Sequence, residues 1–171
     1  MKQQKNIILT MKFNVLIYII MFAAFCVGCS NGWQQGDFYK KNGLKGIVVA
    51  VDDAGNATLV LSLDECSNID ADSANRWAQG YDDGSWRLPS NDEMAQIKKY
   101  KSLINKTLQY KNEASVLTGH TFYWTSTPCS ESHTYACGPD GVRCYFNTNA
   151  SPHYRARAVK NIATQASLPA K

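Results

Sequence analysis

The chain has 171 residues, with 18 Lys and Arg against 14 Asp and Glu, and six cysteines. Lys2, Lys5 and Lys12 stand in an amino-terminal stretch that holds no acid, so beyond that stretch the balance is 15 − 14 = +1. This near-neutrality removes the electrostatic case for nucleic acid, which needs a clustered basic stripe. About 140 residues remain, enough for one domain with its own core, and they carry no repeat, heptad or phosphate-binding glycine loop.

The three lysines precede an almost unbroken apolar run from Val15 to Val27, which closes at Gly28-Cys29. A run this short, basic before and small at its end, fits a secretory signal better than a membrane span. A cysteine directly after a small residue predicts a lipoprotein signal peptide over 1–28 with Cys29 as the lipid attachment. The expected product is a protein held to the bacterial cell envelope, at the outer membrane, by palmitate-like chains on Cys29. Several chains make such anchoring lasting where one is marginal. Cys26 stands where the usual motif carries Leu, and Met11 is an alternative start. An uncleaved anchor helix and a plain secreted protein are the rival readings. Ser30-Asn31-Gly32 do not decide which face of the membrane is occupied.

Cys66, Cys129, Cys137 and Cys144 are disulfide candidates, because an exported chain with an even number of cysteines favours bridges. Three pairings are open, Cys129 with Cys137 being the most local. The gaps are too wide for a short zinc clamp, so no metal is expected.

Residues 29–43 read as a tether with an aromatic foot of Trp33, Phe38 and Tyr39. Gly46–Asp52 and Ala57–Leu63 are β-branched runs around Asp53-Ala-Gly-Asn56, the pattern of a β-hairpin. Asp52, Asp53 and Asn56 have calcium-type oxygens, but turns favour those residues for backbone reasons alone. Asp70–Tyr81 predicts a short helix capped by Asp72 or Ser73, with Ala74, Trp77 and Ala78 on one face. Ser90 and Glu93 form a capping box after Pro89, with Met94 and Ile97 on the following stripe. Leu103, Ile104 and Leu108 predict a further helical piece. Thr121–Thr127 reads as an aromatic strand, and Thr134–Gly138 and Gly141–Phe146 as a hairpin around Pro139-Asp140. In the final strand Tyr154, Ala156 and Ala158 alternate inward against Arg155, Arg157 and Lys160 outward. Residues 163–171 read as a frayed tail. A strand pair, then helices, then strands argues for an α+β class.

Three segments, Ser85-Trp-Arg-Leu-Pro-Ser90 with Asp92-Glu-Met94, Tyr123-Trp-Thr-Ser-Thr127, and Arg155-Ala-Arg-Ala-Val159, together resemble the C-terminal domain family of the Legionella collagen-like adhesin. The likeness covers 44–162, in a setting similar to Bacteroides-type lipoproteins. It implies a C-type-lectin-like fold, akin to formylglycine-generating domains: a twisted antiparallel sheet with two to three short helices. Ser85, Ala156 and Ala158 depart from the family pattern, and the stretch Cys129–Cys144 lies outside it.

The function implied is non-catalytic binding or adhesion, with a glycan, a polyanion or an envelope protein as partner and without a cofactor. Trp86, Leu88 and Arg87 read as scaffold, the Trp N–H needing a partner and Arg87 reaching loop carbonyls. Tyr123 and Trp124 point to opposite faces of their strand, so one is expected to be core and the other an exposed ring for a sugar. Ser130, Glu131 and His133, on a long loop from Pro128 to Thr134, are the other candidate ligand contacts. Gly138-Pro139-Asp140 lacks half of a lectin calcium cage and reads as a turn. His120, His133 and His153 fall in no catalytic motif, so no enzyme is expected. A surface-fibre subunit and a cysteine-dependent enzyme are the alternatives.

Overall fold

The computed structural model describes residues 32–111, 114–138, 141–146 and 153–163. The signal peptide, Cys29, the Pro139-Asp140 turn and the tail from 164 lie outside the described residues. In chain order the elements are β1 (Phe38–Lys41), β2 (Leu44–Val51), β3 (Ala57–Leu61), β4 (Cys66–Ile69), α1 (Ala71–Gln79), α2 (Asn91–Lys99), α3 (Lys101–Tyr110), β5 (Tyr123–Ser130), β6 (His133–Gly138), β7 (Gly141–Phe146), β8 (Tyr154–Ala156) and β9 (Val159–Asn161).

The class is α+β, with two sheets in place of one: β1-β2-β3-β9 and β4-β8-β5-β6-β7. All pairings are antiparallel except β5 with β8, where Tyr123 lies opposite Arg155. The two last strands are consecutive in sequence yet belong to different sheets, so the segment 154–161 ties the sheets together. Both faces of β2 are covered. Val48 packs with Val60, Trp86 and Trp124, whereas Ile47 and Val49 pack with Met94, Ile97, Ile104 and Leu108. This accounts for a continuous apolar run where a half-wet strand would alternate.

Local chemistry sets the turns. Asn42 and Gly43 both have positive φ, 53° and 82°, the two-residue hairpin turn that Asn-Gly favours. Residues 38–41 are therefore a strand paired with β2 rather than part of a tether. Farther out, the Trp33 amide donates to Gly55 O at 2.8 Å. In the β2–β3 turn the Asp52 carboxylate accepts from the amides of Ala54 and Asn56 at 3.0 and 2.8 Å and from the Asn56 side chain. The Asn56 side-chain bond is the foremost reason its carboxyl lies below the ordinary value. Those oxygens are spent on the turn, as the turn reading requires.

The cap of α1 is Asp70, not Asp72 or Ser73. Its carboxylate accepts from the Ser73 amide at 2.8 Å and the Ser73 hydroxyl at 2.9 Å. The capping box of α2 forms as the sequence predicts, with Ser90 Oγ taking the Glu93 amide and Glu93 taking the Ser90 amide.

The three motif segments converge on one seam. The Ser126 amide donates to Pro89 O at 2.8 Å, and the Asn91 amide to Thr127 Oγ1 at 3.0 Å. Arg87 and Val159 exchange both backbone bonds, at 3.0 and 2.8 Å. Trp86 and Leu88 are buried, as a scaffold role demands. The Trp86 indole N–H makes no hydrogen bond among the described residues, and Arg87 turns mainly to Glu93.

Arg157 departs most from the sequence reading. It is fully buried instead of facing water. The chain leaves one sheet at Ala156 and enters the other at Val159, so the alternation is broken and the guanidinium turns inward. There it donates to Ser62 O, Leu63 O and Ser115 O and pairs with Glu65. Burial lowers its pKa against the pull of Glu65.

Candidate functional site

Neither β5 ring is an exposed platform. Trp124 is fully buried, its indole N–H donating to Ile69 O at 2.7 Å. Tyr123 is 5% exposed, and its hydroxyl donates to Glu65 at 2.7 Å. With covering layers on both sides, a strand that points two rings in opposite directions buries both. The sugar-stacking expectation for Tyr123 and Trp124 is therefore corrected.

Ser130, Glu131 and His133 do come together, but on a tight hairpin rather than a long loop. β5 runs to Ser130 and β6 starts at His133, leaving only Glu131 and Ser132 as the turn. The hydroxyls of Ser130 and Ser132 each lie 2.9 Å from His133 Nδ1, so they serve their own imidazole. His120 and His153 are exposed elsewhere. Among the described residues no three His, Cys, Asp or Glu side chains gather as metal ligands.

Beside the hairpin, Cys129 and Cys144 form a disulfide with Cα atoms 6.0 Å apart. Cys66 and Cys137 are free thiols, which corrects both as bridge candidates. The local Cys129–Cys137 pairing fails on register. Cys137 lies opposite Tyr123, and six further residues of β5 put Cys129 about 20 Å along the strand. Cys66 sits on β4, at the opposite edge of that sheet from β7. Burial pushes the Cys66 thiol above its ordinary pKa.

An exposed ring does occur, at Tyr110 on the end of α3, which is 83% accessible. Helical spacing explains it: Ile104 and Leu108 enter the core, which leaves Leu103, Lys106, Thr107 and Tyr110 as the outward face. With the 34–38 segment this face makes a groove of about 510 Å³. Thr107 Oγ1 donates to Gly36 O at 2.6 Å. Gly36, at φ +90°, lies so close to Leu103 that a Cβ would stand 2.7 Å from the Leu103 Cβ. That position requires glycine and fixes the groove floor. The Lys111 ammonium stands 4.1 Å from the Phe38 ring centroid and 5.7 Å from that of Tyr110, within cation–π range. Lys106 completes the cationic wall, and the acid on the groove, Asp37, accepts the Gln34 amide at 2.8 Å.

The groove belongs to a wider pattern that the whole-chain charge conceals. From Lys98 to Lys111 the sequence carries Lys98, Lys99, Lys101, Lys106 and Lys111 and no acid. Counting charge over that window alone reveals it. The exposed tyrosine follows from helical spacing, because Tyr110 stands at i+3 from Thr107 and i+7 from Leu103 on the wet face.

No family model matches the chain, and no curated protein matches it either.

Proposed function

We propose that this chain is a lipid-anchored protein of the bacterial envelope whose α+β domain binds an anionic polysaccharide without catalysis. The reading is supported foremost by the groove in which Tyr110, Lys106 and Lys111 stand together beside an acid-free run of lysines. An exposed aromatic ring offers an apolar face to a pyranose, while ammonium groups pair with sulfate or carboxylate. Attachment through Cys29, at the outer membrane, is the anchoring half of the proposal and rests on the signal-like amino terminus. A C-type-lectin-like domain of the adhesin C-terminal type is the proposed fold family; the convergence of its three motif segments on one seam supports it.

The test uses the full chain in phosphatidylcholine nanodiscs with dextran sulfate, and neutral dextran as control. Dextran sulfate is expected to bind with a salt-weakened affinity, because exposed charge pairs are screened. Tyr110→Ala and the pair Lys106→Gln with Lys111→Gln should each weaken it about tenfold, roughly one charge-assisted contact. Equal binding of dextran, or of duplex DNA at the same charge, would overturn the glycan reading. Peptide mass spectrometry of the bacterial membrane fraction tests anchoring, an unmodified Cys29 in an intact amino terminus being the contrary result.

A further inference from the structure

A second concavity, of about 220 Å³, lies where α2 and the start of α3 face residues 117–121 and the end of β6. Met94, Ile97, Leu117 and the Tyr123 ring give it apolar walls, with the buried Cys137 thiol among them. Its charged lining is Lys98 and Lys101, and no acid lines it. Neither lysine has a carboxylate partner among the described residues. The Lys98 ammonium donates to Gly138 O and stands 3.7 Å from Cys137 Sγ. An ammonium has three donors, so one stays available. The Lys101 ammonium rests against Gly119, where a Cβ would come within 2.7 Å of Nζ.

Among the described residues no acid compensates these lysines. The Tyr123 hydroxyl is occupied by Glu65 and by the Thr118 amide, at 2.7 and 3.1 Å. Glu65 is in turn paired with both Arg155 and Arg157, so its carboxylate is already engaged. An apolar chamber with two ammonium groups that no described carboxylate pairs selects one chemistry: an apolar body ending in an anion.

We infer that this cavity binds a small organic carboxylate, with the apolar body in the chamber and the carboxylate on Lys98 and Lys101. Size narrows the class further. A dry cavity of about 150 Å³ accommodates benzene, so this one has room for a ring with a short chain or for a medium-length acyl chain. A polysaccharide does not fit, and no lining residue is shared with the Tyr110 groove, so the two sites are distinct although Lys98 and Lys101 belong to the same lysine run.

Cys137 supplies the readout. The full chain in phosphatidylcholine nanodiscs is alkylated with iodoacetamide, and labelling of Cys137 is followed by peptide mass spectrometry with Cys66 as internal control. Octanoate or 3-phenylpropanoate is expected to slow labelling of Cys137 and leave Cys66 unchanged. The matching alcohols should need about tenfold higher concentration, the worth of one charge-assisted hydrogen bond. Lys101→Met, at a side chain that makes no hydrogen bond among the described residues, should remove that preference with unchanged circular dichroism, and dextran sulfate should not protect Cys137. Protection by either acid supports the site and tells the aryl from the alkyl source. Equal protection by acid and alcohol, none by either acid, or a preference that survives Lys101→Met overturns it.

Discussion

The guanidinium of Arg87 holds both carboxylate oxygens of Glu93, each at 2.6 Å. The same carboxylate accepts the Ser90 amide at 2.7 Å. One acidic side chain thus closes the capping box of α2 and fastens the tryptophan–arginine–leucine–proline segment to it. Arg87 also reaches Asn161 at 3.0 Å, on β9. Two features that look separate in the sequence are one construction.

This arrangement predicts non-additive mutations. Glu93→Ala removes the side-chain arm of the box and the ion pair but leaves the Ser90 Oγ cap, and Arg87→Ala removes the pair together with the Asn161 bond. The bond from the Ser90 amide to the Glu93 carboxylate is worth about 1 kcal/mol, and a bidentate, partly buried pair about 1 kcal/mol more once solvent screening is allowed for. A double-mutant cycle by urea unfolding should return a coupling energy of about 1 kcal/mol. Coupling near zero would mean that the two groups act independently.

Acid should weaken the fold through its caps. Burial acts to raise the Glu93 carboxyl, but the Arg87 hydrogen bonds and the Ser90 amide outweigh it, and the net pKa is lowered. Asp70 behaves likewise, its desolvation outweighed by the Ser73 amide and hydroxyl. Carboxyls with depressed folded pKa values contribute stability above their unfolded values of about 4 and lose it as pH falls through the folded ones. Thermal unfolding should therefore hold steady from about pH 7 to 5 and fall below about pH 4.5. Glu93→Gln should be less stable at neutral pH and show a shallower acid slope; an unchanged slope would count against the assignment.

Arg157 is the chain's most demanding buried group. Arg157→Met leaves three carbonyls and part of Glu65 without their donor, and a cost of about 3–5 kcal/mol is expected. Arg157→Lys should recover only part of it, because one ammonium cannot reproduce the fork that meets Ser62, Leu63 and Ser115. Urea midpoints of the two variants measure this, and values close to the parent protein would refute it.

The disulfide spans 15 residues of sequence, and a loop of that size is stabilised by about 3 kcal/mol in the chain-entropy account. Reduction should lower stability by that order and loosen the β5–β7 hairpin region. Without reductant, alkylation should mark Cys66 and, more slowly, buried Cys137, sparing Cys129 and Cys144. Labelling of Cys129 before reduction would contradict the bridge.

The parts of the fold governed by short-range chemistry are legible in the sequence. The Asp-Ala-Gly-Asn turn and the Ser-x-x-Glu box place the β2–β3 hairpin and α2 because each is set by residues within a few positions. Asn42-Gly43 carries an equally strong turn signal, but Lys40, Lys41 and Lys45 flank it and hide the strands that it joins. Arg157 misleads because Tyr-Arg-Ala-Arg-Ala alternates like one strand, whereas the chain changes sheets in the middle of it. Burial of both β5 rings depends on layers contributed by distant segments. The cysteine pairing depends on register shifts in β5, which no local pattern encodes. The Tyr110 groove is hidden because one summed charge averages a basic helical pair with acidic loops.

The stitch made by 154–161 has a consequence for biogenesis. Among the described residues β4 pairs only with β8, and β3 acquires its second neighbour only from β9. A nascent chain that stops before Tyr154 therefore has an unpaired β4, an open flank on β3 and an empty place where Arg157 belongs. Such a product cannot settle into a stable amino-terminal half and presents bare strand edges to its neighbours. Closing both sheets requires the segment 154–161, so a chain cut short before Tyr154 is expected to self-associate through its open edges.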